Sequence, residues 1–277
     1  MTDMLVSRAN LLKDFEVLFK TIPTNVPVVF HTDLAKIGVI DKFKRPNEML
    51  QDFETLFDEV ATGRPYLIPT FNYDFGSSNI FNLKKDLGQI GSLSKYYSKN
   101  YPYYRTQTPM FNFVIKNNSS GLFSLDTILN CFGDNSTFDT VRKAGGYIFM
   151  IGNTRNTYVH HVEEMFPIGY RYTKLFKGKV VLDCTEKFVT LEFRVRPMNG
   201  VIHYSEIDIT DGIKEGVVKE NKLGLTKVIW FKASEYYNFV QDRLRKDELY
   251  LLTQESQQSV RKLSSKVGYP FLIQNCE

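Results

Sequence analysis

Tyr147-Ile148-Phe149-Met150-Ile151-Gly152-Asn153-Thr154-Arg155-Asn156-Thr157-Tyr158-Val159-His160-His161-Val162-Glu163-Glu164 passes from an apolar run, through a polar turn, into a segment carrying two of the chain's four histidines. A short apolar run bounded by turns is the pattern of a strand buried in a sheet. The segment that follows reads as helical from Thr157 to Phe166, and strand followed by helix argues an α/β fold. Each histidine precedes a glutamate by three residues. On a helix, residues three apart are neighbours on one face. The glutamate can then accept the ring N–H, fix the tautomer and stabilise the imidazolium. That makes a general base of a group whose ordinary pKa is already near neutral. An exposed helix with incidental His and Glu is the other reading, and at this point both readings and both pairs stay open.

The same grammar extends outward. Asn10 to Thr21 has Leu11, Phe15, Leu18, Phe19 and Ile22 at helical spacing and stops at Pro23. Val26 to Phe30 is an apolar run leading into His31-Thr32-Asp33, where Thr32 or Asp33 can cap a short helix closed by Gly38. Asn47 to Val60 is a second amphipathic helix and Tyr66 to Pro69 a second strand. Thr70 to Tyr104 is rich in Asn, Tyr, Phe, Gly and Ser and reads as a long loop with helical pieces such as Leu93 to Ser98, a length usually tied to function. Phe111 to Ile115 is a third strand, Leu125 to Cys131 and Phe138 to Lys143 short helices, and Tyr147 to Ile151 the fourth strand. Beyond Gly178 the runs Lys179 to Asp183 and Phe188 to Val195 alternate, as antiparallel strands do. A helical piece near Asp208 to Val218, a strand at Lys227 to Phe231 and a helix at Ser234 to Leu244 complete the pattern. Without repeats or linkers, this predicts one α/β domain over residues 1–277. Its central mixed sheet is flanked by helices, with an antiparallel elaboration in the C-terminal third.

The chain has 277 residues, 43% of them hydrophobic, enough for a large core. Its net charge of +4 comes from intermixed acids and bases, with no basic run interleaved with aromatics, which argues against nucleic acid and suits small anionic ligands. Met1-Thr2-Asp3-Met4 lacks the plan of a signal peptide. No apolar run approaches the about 20 residues of a membrane helix. Three scattered cysteines, Cys131, Cys184 and Cys276, argue against disulfides or zinc and for a reducing cytoplasm. Phosphate-binding glycine loops, Gly-x-Ser-x-Gly elbows and paired Cys-x-x-Cys are absent, which disfavours P-loop NTPases, Rossmann dehydrogenases and α/β-hydrolases.

Several further residues admit two readings. His31 ends the first strand, at the edge where open α/β sheets bind ligands, and the next N–H groups can hold a phosphate. Equally, Thr32 caps and His31 is a buried histidine. Phe132-Gly133-Asp134-Asn135-Ser136-Thr137 either binds phosphate or caps the next helix. Arg105 either clamps a carboxylate or phosphate or is an ordinary surface arginine.

Taken in order, these pieces resemble the aminoglycoside 3-N-acetyltransferase family. Val28-Val29-Phe30-His31-Thr32-Asp33-Leu34 through Gly38 resembles its opening strand and His-Ser-Ser-Leu turn. Ile68-Pro69-Thr70-Phe71-Asn72-Tyr73 is similar to its Met-Pro-Thr-Phe motif, and Phe132 to Ser136 to its Gly-x-x-Ser turn. Asn156-Thr157-Tyr158-Val159-His160-His161-Val162-Glu163 resembles its Asn-Thr-x-Leu-His-x-x-Glu signature, and Tyr236 to Leu251 its closing helix. The likeness spans about residues 26 to 252.

The resemblance implies acetyl-CoA as co-substrate, no metal, and a small amine-bearing sugar as acceptor, and it leaves a homodimer open. It selects His160 with Glu163 as the catalytic pair, because only His160 follows Thr-x-Val as the family's His follows Thr-x-Leu. An amine with a pKa of about 8–10 must lose a proton before attacking a thioester, and His160 would take it. Thr157 is the candidate for stabilising the thioester oxygen. The resemblance places the cofactor at His31, Thr32, Asp33, Thr70, Phe71 and Ser136, and the acceptor at Tyr73, Arg105 and Thr108. Two departures bear on the acceptor. Resistance enzymes carry Arg-Ser-x-His-Pro where this chain has Arg105-Thr106-Gln107-Thr108-Pro109, and Asp33 stands where a second serine is usual. Polycationic aminoglycosides want an acidic cleft, so the net charge points instead to an amino sugar, free or nucleotide-linked. Aminoglycoside acetylation is the alternative. An inactive CoA-binding protein and a metal-dependent hydrolase using His31, His160 and His161 are two further ones.

Overall fold

The apolar runs read as strands do form one sheet, because their side chains have cores to fill on both faces. In the computed structural model, which describes residues 5–40, 45–153, 156–197 and 202–272, the first elements are β1 (Leu5–Val6), α1 (Arg8–Phe19), β2 (Val28–Thr32), α2 (Leu34–Ile37), β3 (Val39–Ile40), α3 (Pro46–Val60), β4 (Tyr66–Pro69), α4 (Phe75–Ser78), β5 (Ile80–Asn82), α5 (Ser92–Asn100) and β6 (Phe113–Lys116). They are followed by α6 (Thr137–Lys143), β7 (Tyr147–Ile151), α7 (Val159–Glu164), β8 (Tyr172–Leu182), β9 (Thr185–Val195), α8 (Ile207–Lys214), β10 (Val218–Leu223), β11 (Thr226–Lys232), α9 (Ala233–Lys246) and α10 (Gln254–Val267). Cys276, Met1 to Met4, and Thr154 and Arg155 within the opening stretch lie outside the described residues.

A six-stranded mixed sheet has the order β10-β11-β7-β2-β4-β6. β2 is its centre, parallel to β4 on one side and to β7 on the other. Side chains on successive strand residues point to opposite faces. Val28 and Phe30 therefore enter the core under α1, α3 and α5, with Phe15, Phe53, Phe57 and Tyr97. Val29 enters the opposite core, with residues of α6, α7 and α9. His31 has the parity of Val29 and sits near Phe71 and Phe138 on that second face. Phe30 and Phe57 stack at 4.5 Å. Truncating either to alanine would cost about 3–5 kcal/mol.

The expected antiparallel elaboration is the β8–β9 hairpin, to which β5 adds a parallel third strand. β5 and α4 give structure to what reads as loop from Thr70 onward. Leu125 to Cys131 is not helical. Its backbone bonds sideways, Gln107 N–H to the Leu125 carbonyl and Glu192 N–H to the Leu129 carbonyl. β10 and α10 have no counterpart in the sequence reading.

α7 has six residues, too few to persist by local bonds alone. It is held by burial of Val159 and Val162 and by α9: Tyr158 donates to the Ala233 carbonyl at 3.0 Å, and Gln241 donates to the carbonyls of Val162 and Met165. The turn that aims α7 needs Gly152. Its φ is +74°, and a Cβ there would lie 2.8 Å from the Asp33 carbonyl oxygen.

Candidate active site

His160 Nδ1 lies 2.9 Å from Glu163 Oε2, as the three-residue spacing on α7 requires. Glu163 is fully buried, and its carboxylate is saturated with donors. Tyr170 Oη donates to Oε1 at 2.5 Å, Tyr204 Oη reaches both oxygens at 2.7 and 2.8 Å, and Arg171 Nη2 is 3.1 Å from Oε2. Burial alone would raise this acid's pKa, but Arg171, His160 and Tyr170 outweigh it and bring it down to about 2. Glu163 is therefore an anion at any ordinary pH.

Arg171 Nη2 also comes within 3.0 Å of His160 Nδ1. A guanidinium only donates. The arrangement that serves all three groups has Nδ1–H donating to Glu163, with Arg171 donating to the same carboxylate. Nε2 then carries the free lone pair. Burial and the Arg171 charge lower the His160 pKa against the upward pull of Glu163, so the ring is neutral and basic at physiological pH. The His160 side chain keeps 24% exposure, and the cavity reaches it there.

Two cavities meet beside this pair. The smaller, about 570 Å³, is lined by His160, Asn156, Thr157, Val159 and Tyr73 and by the charged or polar residues Arg196, His203, Tyr204, Glu206 and Asp208. The larger, about 860 Å³, lies at the carboxyl ends of β2, β4 and β7, where α/β sheets bind ligands. Its walls include His31, Thr32, Asp33, Lys36, Phe71, Gly91 and Asn153. Tyr73, Thr157 and Glu206 belong to both.

Of the residues the sequence singles out, the structure brings His31, Thr32, Asp33 and Phe71 to the larger cavity, Tyr73 and Thr157 to the shared wall, and His160 to the smaller one. Four others lie elsewhere. Thr70 is buried and donates to Asn112 Oδ1 at 2.8 Å. Ser136 is buried and caps α6, accepting the Asp139 N–H, as its capping reading requires. Thr108 is buried and accepts the Ile128 N–H, holding the 125–131 segment. Arg105 is neither a surface arginine nor a ligand clamp. It is wholly buried and donates to Asn112 Oδ1 and to the carbonyls of Thr70, Leu83 and Asp86, binding the 70–104 segment to the sheet.

The phosphate expectation at His31 also changes. Burial lowers the ring's pKa to about 4, so it is neutral, and its Nε2 is buried without a partner. α2 has only four residues, and the Asp33 side chain makes no capping bond. Lys36 is the positive charge on that wall.

His161 turns away from His160. It is fully buried, its Nδ1 is 2.5 Å from the Phe132 carbonyl, and burial lowers its pKa to about 4. Among the described residues, no three His, Cys, Asp or Glu side chains gather as a metal site, and no helix is long and apolar enough to cross a membrane. Cys131 and Cys184 line neither cavity. Sequence reasoning missed Tyr170, Arg171, Tyr204 and Asp208. Their only local signals are the Tyr170-Arg171-Tyr172 and Tyr204-Ser205-Glu206-Ile207-Asp208 clusters.

A neutral histidine backed by a buried carboxylate thus faces one cavity and adjoins another. The family model described as aminoglycoside 3-N-acetyltransferase matches residues 81–245. No curated protein sequence matches the chain. Among solved structures, aminoglycoside acetyltransferase AAC(3)-Xa is 16% identical with a TM-score of 0.71, over 90% of this chain and 95% of that one. AAC-IIIb in a binary complex with CoASH is 14% identical with a TM-score of 0.69, over 87% and 97%. AAC-VIa bound to sisomicin is 14% identical with a TM-score of 0.70, over 87% and 98%. The chain belongs to the aminoglycoside 3-N-acetyltransferase family and is a CoA-dependent acyltransferase.

Proposed function

We propose that the protein transfers an acetyl group from acetyl-CoA to an amine of an aminoglycoside-class acceptor, with His160 as general base. The observation that carries this reading is the His160–Glu163 pair facing one cavity whose wall is shared with a second. The larger cavity suits CoA in size, since ligand sites run to about 300–1,000 Å³. Its buried, unpartnered His31 Nε2 offers a polar contact, and Lys36, which faces the Asp33 carboxylate at 3.5 Å, a charge for phosphate. Acetyl-CoA supplies an activated thioester carbonyl.

The chain's own residues handle the proton. His160 Nε2 takes the proton from the acceptor amine as the amine's lone pair attacks the thioester carbonyl, and gives it to the CoA thiolate as the C–S bond breaks. Glu163 with its Tyr170, Tyr204 and Arg171 partners holds the ring and balances the imidazolium. Thr157, on the shared wall, is assigned the developing oxyanion.

The amino-sugar expectation rested on a net charge of +4, yet the field inside a cavity is set by its own lining. The acceptor side is lined by two acids, Asp208 and Glu206, against one guanidinium, Arg196, and burial raises the Asp208 pKa, so an arriving ammonium group stabilises its anion. This favours a polycationic acceptor, as do the family match and the relative bound to sisomicin. A thiol-release assay with acetyl-CoA against aminoglycosides, free amino sugars and nucleotide-linked amino sugars tests it. Aminoglycosides should give the highest kcat/KM, and a nucleotide-linked sugar ranking first would overturn the acceptor assignment.

A further inference from the structure

The chain carries two interleaved His-x-x-Glu pairs, and the chemistry above uses only the first. The second, His161 and Glu164, grips one turn from both ends. His161 Nδ1–H donates to the Phe132 carbonyl at 2.5 Å, and Glu164 Oε1 accepts from Asn130 Nδ2 at 3.3 Å. Between those points the turn is closed on itself. Asn130 Oδ1 accepts the N–H groups of Phe132 and Gly133 at 3.0 and 2.7 Å. A Cβ on Gly133 would lie 2.9 Å from the Asn130 side chain, so the turn tolerates no larger residue there without moving.

The turn delivers one ring. Phe132 stands edge-on to His160, centroids 5.5 Å apart and planes at 76°, and is stacked in parallel on Phe138 behind it. Tyr204 packs on His160 as well, at 5.4 Å. Phe132 is almost wholly buried, so its plane is fixed by packing and by the two bonds from α7.

We infer that His161 and Glu164 form a positioning pair, which clamps the Asn130–Gly133 turn to α7 and so sets the Phe132 ring that orients and dries His160. This inference rests on His160 being the base, and each variant is therefore read beside His160→Ala. Misplacing a catalytic group by about 1 Å can cost up to 10²-fold in rate. Phe132→Leu and His161→Leu should each lower kcat about tenfold while leaving KM for acetyl-CoA unchanged. Losing the ring should admit water to His160, and its ionisation in the pH profile of kcat/KM should move upward, because burial is what lowers it. His161→Asn, whose amide can still donate to the Phe132 carbonyl, should recover most of the rate. The double variant Phe132→Leu/His161→Leu should be no slower than its slower parent, since both changes act through one ring.

If His160→Ala is inactive while Phe132→Leu keeps both the kcat and the pH profile of the parent, the positioning role is overturned and the base assignment stands. The positioning role is equally overturned if these variants lower only the melting temperature. If His160→Ala stays active, the base assignment falls and the positioning role with it. Should His161→Leu fail to fold, Phe132→Leu and His161→Asn decide between these outcomes by the same readouts.

Discussion

The two cavities that meet at Tyr73, Thr157 and Glu206 are built from different materials. The larger is framed by strand ends and short turns, and its lining mixes backbone, aromatic rings and few charges. The smaller is framed by α7, Arg196 and residues 203–208, and nearly every wall residue carries a charge or a hydrogen-bonding group. Regular framework gives the first its shape, and side-chain identity gives the second its character. On the proposed reading, substitutions at residues such as Asp208 and Arg196 alter the acceptor side and leave the sheet that frames the other cavity unchanged.

That contrast is sharpest at His160. His160→Ala should lower kcat by about 10²–10⁴-fold, with CoA affinity unchanged, because the lost group serves only the acceptor side. Steady-state kinetics beside a CoA titration measures both, and a parallel loss of CoA binding would break the division. The base must be deprotonated to act. The rate should thus be lost as pH falls through a His160 ionisation below the ordinary 6.5 and stay flat above it. Glu163 is what raises that ionisation, so Glu163→Gln should move it further down.

Smaller effects probe the larger cavity. CoA at a hundredfold excess over its Kd should stabilise the protein by about 2.7 kcal/mol, which thermal melts read as several degrees. No shift at millimolar CoA would sink the cofactor assignment. On the acceptor side, Asp208→Asn should raise KM for a polyamine about tenfold, a charge-assisted contact being worth roughly 1.5–3 kcal/mol, and should leave KM for acetyl-CoA alone. Lys36→Ala should do the converse, by only a few-fold, because its charge is exposed and screened. If Asp208→Asn and Lys36→Ala affect the same substrate, the two cavities are one site.

What the residues announced locally, the fold delivered. Tyr66–Pro69 and Tyr147–Ile151 are strands at the bounds expected, because a central parallel strand is apolar on both faces. β10 escaped notice because its interior, Lys219 to Lys222, is exposed at a sheet edge and shows no alternation. Leu125 to Cys131 read as a helix because its bonding partners, Gln107 and Glu192, lie 18 or more positions away and leave no local trace. Arg105 misled for a reason of residue type, since arginine is rarely wholly buried. At the site itself, one turn of helix made two His–Glu pairs visible, and the resemblance, not the spacing, singled out His160 with Glu163. Arg171 reaches Glu163 from just before β8, beyond the reach of any helical spacing, and Tyr204 meets it only once the β8–β9 hairpin has brought the chain back.

The wall formed by Tyr73, Thr157 and Glu206 has a kinetic corollary. Two substrates lodged on either side of it need not take turns in one space, and no protein nucleophile has to hold the acyl group while they exchange. Double-reciprocal plots at varied fixed acceptor should therefore intersect rather than run parallel, and product CoA should compete with acetyl-CoA but not with the amine.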